Sequence, residues 1–352
     1  MKKIFVLDTM FSYGHKKFNY FYINLLKKYF HIIILNDGKY YNGLKGENVE
    51  LLDIHTSLKG NNALKARWNI IKTFVNIRKS GALSEINHIL VMGYDTLSFP
   101  AFFAICHPKT SIYTFQHHNI DETDNNIKKI VFMLYKNKMT HFVLEESFVE
   151  QFRKKCNIKS QIVYIPHYLS KLGFCEETKL YNRSVIAMSN SNDEKKIEKL
   201  IELDRNGYLN ELAYKIVTKS KIYDYNQEKL EVISGYIPDE IYEKNFFDAK
   251  AVLILFPDSY DIRFSCTLLE ALVNYKIVIG YDIPFVLAYK KKYPKNVYSF
   301  HTFDELLNIL KELPDVNFDK QERELLVKEL SCEKIEETFR RIFDIYEYEI
   351  DA

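Results

Sequence analysis

No stretch of the 352-residue chain approaches the ~18–20 consecutive apolar residues needed to span a bilayer. The opening run Ile4-Phe5-Val6-Leu7 is cut short by Asp8, too early for a signal peptide and better suited to a first buried strand. Cysteine is sparse. The five residues, at 106, 156, 175, 266 and 332, have neither an even count nor metal-ligand spacing, which argues for reduced thiols in a cytoplasm. Glycine (11) and proline (8) are also scarce, and no short repeat or low-complexity linker interrupts the chain, so fibrous and disordered classes are excluded. The three-glycine dinucleotide fingerprint is missing.

What remains is a soluble globular composition, 47% hydrophobic and 27% charged, long enough for two domains. The net charge of +2 hides a polarity. Residues 1–172 hold 24 Lys and Arg against 13 Asp and Glu, and the rest holds 25 against 34. The first half therefore suits an anionic partner. Its cations are interleaved with apolar residues at 15–30, 65–79 and 127–139. Such helices either lie on anionic lipid headgroups or form the solvated outer faces of sheet-flanking helices.

Buried strands and helices alternate along both halves. Expected strands are Lys3–Asp8, His31–Leu35, His88–Gly93, Ser111–Gln116, Thr140–Leu144 and Gln161–Ile165, separated by helical patterns at 15–29, 62–79, 95–105, 124–138 and 146–156. The chain turns polar and irregular over 171–182, the expected domain junction. A second alternation follows: Ser184–Met188, a helix from Asp193, Lys215–Thr218, Glu231–Ser234, Ala251–Phe256 and Lys276–Gly280. Two α/β domains with doubly wound parallel sheets are the expected architecture. Two helical patterns without a following strand close the chain from Asp319.

Residues 251–284 carry the most information. An apolar strand ends at Phe256-Pro257; a polar loop brings Ser259, Arg263, Ser265 and Thr267 to a helix that holds Glu270; a second buried strand follows at once. A cation, hydroxyls, a helix N-terminus and a carboxylate thus gather at the carboxyl end of a strand, where open α/β sheets bind ligands. Arg263 and the helix N–H groups suit a diphosphate, and Glu270 suits the vicinal hydroxyls of a ribose.

This segment, with Ser265-Cys266-Thr267-Leu268-Leu269-Glu270-Ala271-Leu272 and Ile277-Val278-Ile279-Gly280, resembles the donor-binding segment of GT-B glycosyltransferases, in particular the glycosyltransferase family 4 group of bacterial surface-polysaccharide synthesis. The family's other carboxylate stands eight residues before the position of Glu270; here it is Ile262, flanked by Asp261 and Arg263. Ser189 to Lys196 resembles the segment whose Arg and Lys hold the donor diphosphate, with Asn190 in the Arg position and Lys195 or Lys196 as the cation; a loop capped by Asp193 with no ligand is the alternative. The turn at Gly235-Tyr236 resembles the one that reads the nucleobase, where Tyr236 either stacks on the base or packs.

In the first half, Gly14 and His15 open a helix after the first strand, either as a plain turn or as an acceptor- or phosphate-binding loop. The pair His117-His118, followed by Asp121 and Glu122, stands at a strand end; near-neutral side chains there suit proton transfer or a sugar hydroxyl, with zinc binding the lesser alternative. In the family a His at this place faces the donor sugar.

The resemblance implies a GT-B enzyme of domains 1–172 and 173–330 facing a cleft, with a helix in 331–352 returning to the first domain. It would carry a sugar from a UDP- or GDP-type donor to a lipid-linked saccharide acceptor at the inner membrane face. The resemblance implies retention of anomeric configuration, while Ile262 in place of the carboxylate leaves inversion open with His118, Asp121 or Glu122 as base; no metal is expected, since no Asp-x-Asp site is present. Three alternatives share the fold: a nucleotide-sugar 2-epimerase, a polyol-phosphate transferase and a non-catalytic scaffold.

Overall fold

The computed structural model describes residues 1–11, 15–37, 39–53, 62–169 and 184–345. Gly14 and the junction at 171–182 lie outside the described residues. The chain divides into two compact units, one formed by Met1–Ser170 with Ser331–Ala352 and the other by Lys171–Leu330.

The first unit contains strands β1 (Lys2–Asp8), β2 (Phe30–Asn36), β3 (Val49–Asp53), β4 (His88–Gly93), β5 (Ser111–Phe115), β6 (Thr140–Val143) and β7 (Ile162–Tyr164). They form one parallel sheet in the order β3-β2-β1-β4-β5-β6-β7. The crossovers are α1 (Lys16–Leu26), α2 (Ala63–Ser80), α3 (Pro100–Cys106), α4 (Asn126–Met133) and α5 (Phe148–Cys156). Strand order reverses between β1 and β4, the position where doubly wound sheets open a crevice.

The second unit repeats the plan. Strands β8 (Ser184–Ala187), β9 (Lys215–Ser220), β10 (Tyr225–Asn226), β11 (Leu230–Ser234), β12 (Ala249–Ile254), β13 (Ile277–Tyr281) and β14 (Val297–Phe300) are ordered β10-β11-β9-β8-β12-β13-β14. All pairings are parallel except that of the two-residue β10. Its helices are α6 (Glu194–Arg205), α7 (Asp239–Asp248), α8 (Cys266–Val273), α9 (Pro284–Lys292), α10 (Phe303–Glu312) and α11 (Lys320–Glu329). One face of the sheet is closed by Ile197, Leu200, Leu209, Leu306 and Leu310 against Val185, Leu253 and Ile279.

Local chemistry sets the element ends. Asn62 caps α2, Thr302 and Glu305 form a reciprocal capping box on α10, and Pro284 stands in the first turn of α9. The fully buried Lys276 donates to the Phe247 and Ala249 carbonyls at 2.8 and 2.6 Å, satisfying the carboxyl end of α7 with a cation.

Three strands differ from the sequence expectation by being present at all: β3, β10 and β14 are short edge strands without a continuous apolar run. The last helix, α12 (Cys332–Ile342), belongs to the first unit. Phe339 and the following Phe343 meet Tyr22, Phe30, His88, Tyr113 and Phe142, and Glu336 accepts hydrogen bonds from Tyr29 and Lys28. Counted by unit, the first holds 26 Lys and Arg against 20 Asp and Glu, the second 23 against 27.

Gly280 is the tightest point of the second sheet. A Cβ there would lie 2.7 Å from both γ-carbons of the buried Val286 in α9. Gly280→Ala is expected to cost about 1–3 kcal/mol of stability. Urea unfolding of the two proteins measures it, and equal midpoints would show that β13 and α9 can separate freely.

Candidate functional site

The residues singled out in the second unit lie on the loops and helices that follow β8, β11 and β12, at the carboxyl ends of those strands. Asp193 caps α6 by accepting from the Lys195 N–H at 3.0 Å, and its own N–H donates to the Leu255 carbonyl at 2.7 Å. The cap places Lys196 in the first helical turn facing inward, 8% exposed, while Lys195 is exposed. The Lys196 ammonium lies 2.9 Å from Asp258, 3.3 Å from Asp193 and 3.9 Å from the centre of the Tyr281 ring. A lysine withdrawn from water needs such partners. Of the two candidate cations, Lys196 is the one built into the site.

The loop after β12 is shaped by aromatic packing. Tyr260 packs at a tilt against Phe256 with ring centroids 4.5 Å apart and donates its hydroxyl to the Phe264 carbonyl at 3.0 Å. The Arg263 guanidinium lies 5.0 Å from the Tyr260 ring centre. Ile262 is 2% exposed. The position held by a carboxylate in the resembling family is here an apolar anchor of the loop, and no charged group could occupy it unpaired without a large desolvation penalty. Ser265 occupies the N-cap position of α8 but its hydroxyl makes no capping bond; Thr267 is half-buried one residue into the helix.

Glu270 sits one turn further along α8. The Tyr242 hydroxyl of α7 is hydrogen-bonded to it, and burial, followed by the Glu270 charge, pushes the tyrosine well above its ordinary pKa. Tyr242 therefore stays protonated and donates to the carboxylate. Sequence reasoning missed it because a tyrosine inside a helical pattern carries no local signal of its partner. Asn192 was missed too: its amide donates to the Ala187 and Lys219 carbonyls at 2.6 and 3.0 Å, latching the ends of β8 and β9, whereas Asn190 is exposed. Gly235 takes φ +78°, the left-handed region that only glycine enters cheaply, and Tyr236 beside it is 80% exposed. The turn is fixed by backbone requirement; the tyrosine is not core packing.

In the first unit the structure gathers four histidines at the carboxyl ends of β5 and β7 and the start of α1. His15 stacks on His117 with ring centroids 4.2 Å apart, and Phe18 contacts both His117 and His167 at 5.1 Å. His117 Nε2–H donates to the Met92 carbonyl at 3.1 Å, leaving Nδ1 as an acceptor. Burial and then the neighbouring His15, His118 and His167 hold its pKa well below the usual value. Burial likewise lowers His15, with His118 adding to it. His118 is half-buried, its Nε2 3.6 Å from Glu122. Glu122 also pairs with Lys128 at 2.7 Å and accepts the Thr96 hydroxyl at 2.6 Å. Asp121 is buried, so the carboxylate that reaches His118 is Glu122. Among the described residues no group of three or more His, Cys, Asp or Glu is arranged to hold a metal ion.

No protein-family model and no curated protein sequence matches the chain. Solved structures do. The lipopolysaccharide outer core galactosyltransferase WaaB is similar at 13% identity over 98% of this chain and 100% of its own, with a TM-score of 0.63. Anabaena HepE in complex with UDP and glucose gives 11%, 98%, 100% and 0.64. TarM gives 17% identity and a TM-score of 0.60 over 80% of this chain, which spans 58% of TarM. The fold is that of the GT-B glycosyltransferases.

The buried histidines set a pH dependence. Burial lowers His167 to about 4 and His141 to about 4. The His141 ring is held by the Gln116 amide at 2.9 Å and the Lys136 carbonyl at 2.6 Å. With unfolded values near ~6.5, protons prefer the unfolded chain as pH falls. The stability due to these groups is complete above about pH 6.5 and is lost progressively towards about pH 4. Denaturant titrations across that window should show falling stability; a flat profile would mean that these rings are not held neutral.

Proposed function

We propose that the protein is a glycosyltransferase that moves a sugar from a nucleoside diphosphate donor to a saccharide acceptor. One observation carries this reading above the others. The second unit of a GT-B fold sets a buried ammonium, Lys196, and a carboxylate hydrogen-bonded by a tyrosine, Glu270 with Tyr242, on the helices that follow β8 and β12. A diphosphate needs fixed cations and helix-terminal N–H groups, which Lys196, Arg263 and the start of α8 with Ser265 and Thr267 supply. A ribose needs an acceptor for two hydroxyls, which Glu270 supplies. Asn190, Gly235 and Tyr236 lie on the loops that follow β8 and β11. The presence of UDP in the similar HepE structure favours a uridine donor.

The finer reading follows the resemblance in the sequence. The enzyme would belong to the family 4 group, retain anomeric configuration, work without a metal and build a bacterial surface polysaccharide. Its basic first unit would meet a lipid-linked acceptor at the inner membrane face. His118, steered by Glu122, would face the reacting groups, with His117, His15 and Asp121 shaping its surroundings. Departure of the diphosphate is then eased by preorganised positive charge.

Calorimetric titration with UDP tests the donor site. Glu270→Ala should weaken binding by about 1.5–3 kcal/mol, the worth of a charge-assisted hydrogen bond, and Lys196→Met by a similar amount. Tyr242→Phe should cost less, since it loosens the carboxylate without removing it. Failure of the wild-type protein to bind UDP- or GDP-sugars in a thermal-shift screen would overturn the transferase reading in favour of a non-catalytic role.

A further inference from the structure

The three basic, apolar-rich stretches of the first unit turn out to be physically different. Helix α1 buries its apolar residues Phe18, Tyr22, Ile23, Leu25 and Leu26. Helix α2 buries Ile70, Phe74 and Ile77 and exposes Leu64 and Trp68 only near its start. Helix α4 does the reverse. It buries Phe132 alone and turns Ile127, Ile130, Met133 and the following Leu134 outward, 66, 65, 57 and 62% exposed. Spacings of three and four place Ile127, Ile130 and Leu134 on one helical stripe, the pattern that ordinarily enters a core. Here it faces away from the protein.

Charge narrows what can cover that stripe. Helix α4 contains two lysines and no carboxylate. The nearest acids are already paired, Glu122 with Lys128 at 2.7 Å and Asp124 with Lys155 at 3.0 Å. Lys129 and Lys138 are exposed beside the apolar residues. A cavity of about 380 Å³ adjoins the end of the stripe, lined by Pro100, Phe103, His107, Leu134, Tyr135 and Lys138, with the Lys138 ammonium 5.3 Å from the Phe103 ring centre. A second copy of the chain would bring cation against cation across a twofold axis. An anionic bilayer answers both features, taking the apolar side chains at the acyl boundary and the ammonium groups at the phosphates.

We propose that α4 and the turn after it are the surface by which the protein lies on an anionic membrane. This deepens the membrane-facing part of the reading above, and narrows the contact from three basic stretches to the one that contains α4. It does not depend on which nucleotide is bound.

The test is co-sedimentation of the full chain with phosphatidylcholine vesicles, with and without phosphatidylglycerol. Ile130→Ser with Met133→Ser should lower the partition onto anionic vesicles by about tenfold. Replacing Lys16, Lys17, Lys27 and Lys28 with Gln should change it by no more than about twofold. An α4 variant that binds like the wild type, or a wild type that binds neither vesicle, would overturn the proposal. So would α4 substitutions that dissociate a dimer in sedimentation velocity and leave vesicle binding intact. UDP titration of the same proteins reports on the transferase reading separately.

Discussion

A buried ammonium organises the second unit. Lys196 is nearly removed from water, and an isolated charge in that position would be costly. The cost is met by drawing three elements to one point: the cap of α6 through Asp193, the loop after β12 through Asp258, and the end of β13 through Tyr281. The first two are segments that the sheet itself leaves unconstrained, because hydrogen bonding between strands stops before them, whereas Tyr281 is held by its pairing with Phe300 of β14. The loop that carries Arg263 is therefore tied to α6 by electrostatics and to Phe256 by ring packing, and its position follows from both. Asp258 is mostly exposed, so an anion of higher charge could take its place on Lys196 without disturbing the core.

A similar division of labour governs Glu270. Helix α8 supplies the carboxylate, and α7, entered through the glycine turn at Gly235, supplies the hydroxyl that orients it. The two helices are consecutive crossovers on either side of β12 in sequence. One strand thus determines how the carboxylate and its hydroxyl meet. The same strand fixes the loop with Ile262 and Arg263.

Much of this was legible beforehand. The continuous apolar runs at 3–8, 88–93 and 251–256 pointed to buried parallel strands, and the strand–loop–helix–strand order around Glu270 put that residue on the crossover helix between β12 and β13. Three of the four edge strands were illegible because half-exposed residues lack both a continuous run and a long alternation, as with Val49–Asp53. Partnerships between distant segments were illegible for a different reason. Nothing near Tyr242 names Glu270, and nothing near His118 names His15 or His167; those meetings depend on strand order. Amphipathicity misleads in α4, where the stripe at 127, 130 and 134 points away from the sheet, since periodicity gives the shape of a helix face without saying what covers it.

The return of α12 to the first unit has a temporal consequence. Phe339 and Phe343 fill space among side chains from β2, β4, β5, β6 and α1, all of which leave the ribosome far earlier. During synthesis the leading sheet must wait, with part of its apolar interior uncovered, while the intervening 160 residues from Lys171 to Leu330 emerge and assemble on their own. A nascent chain halted at any point before Phe339 would display that uncovered surface to chaperones.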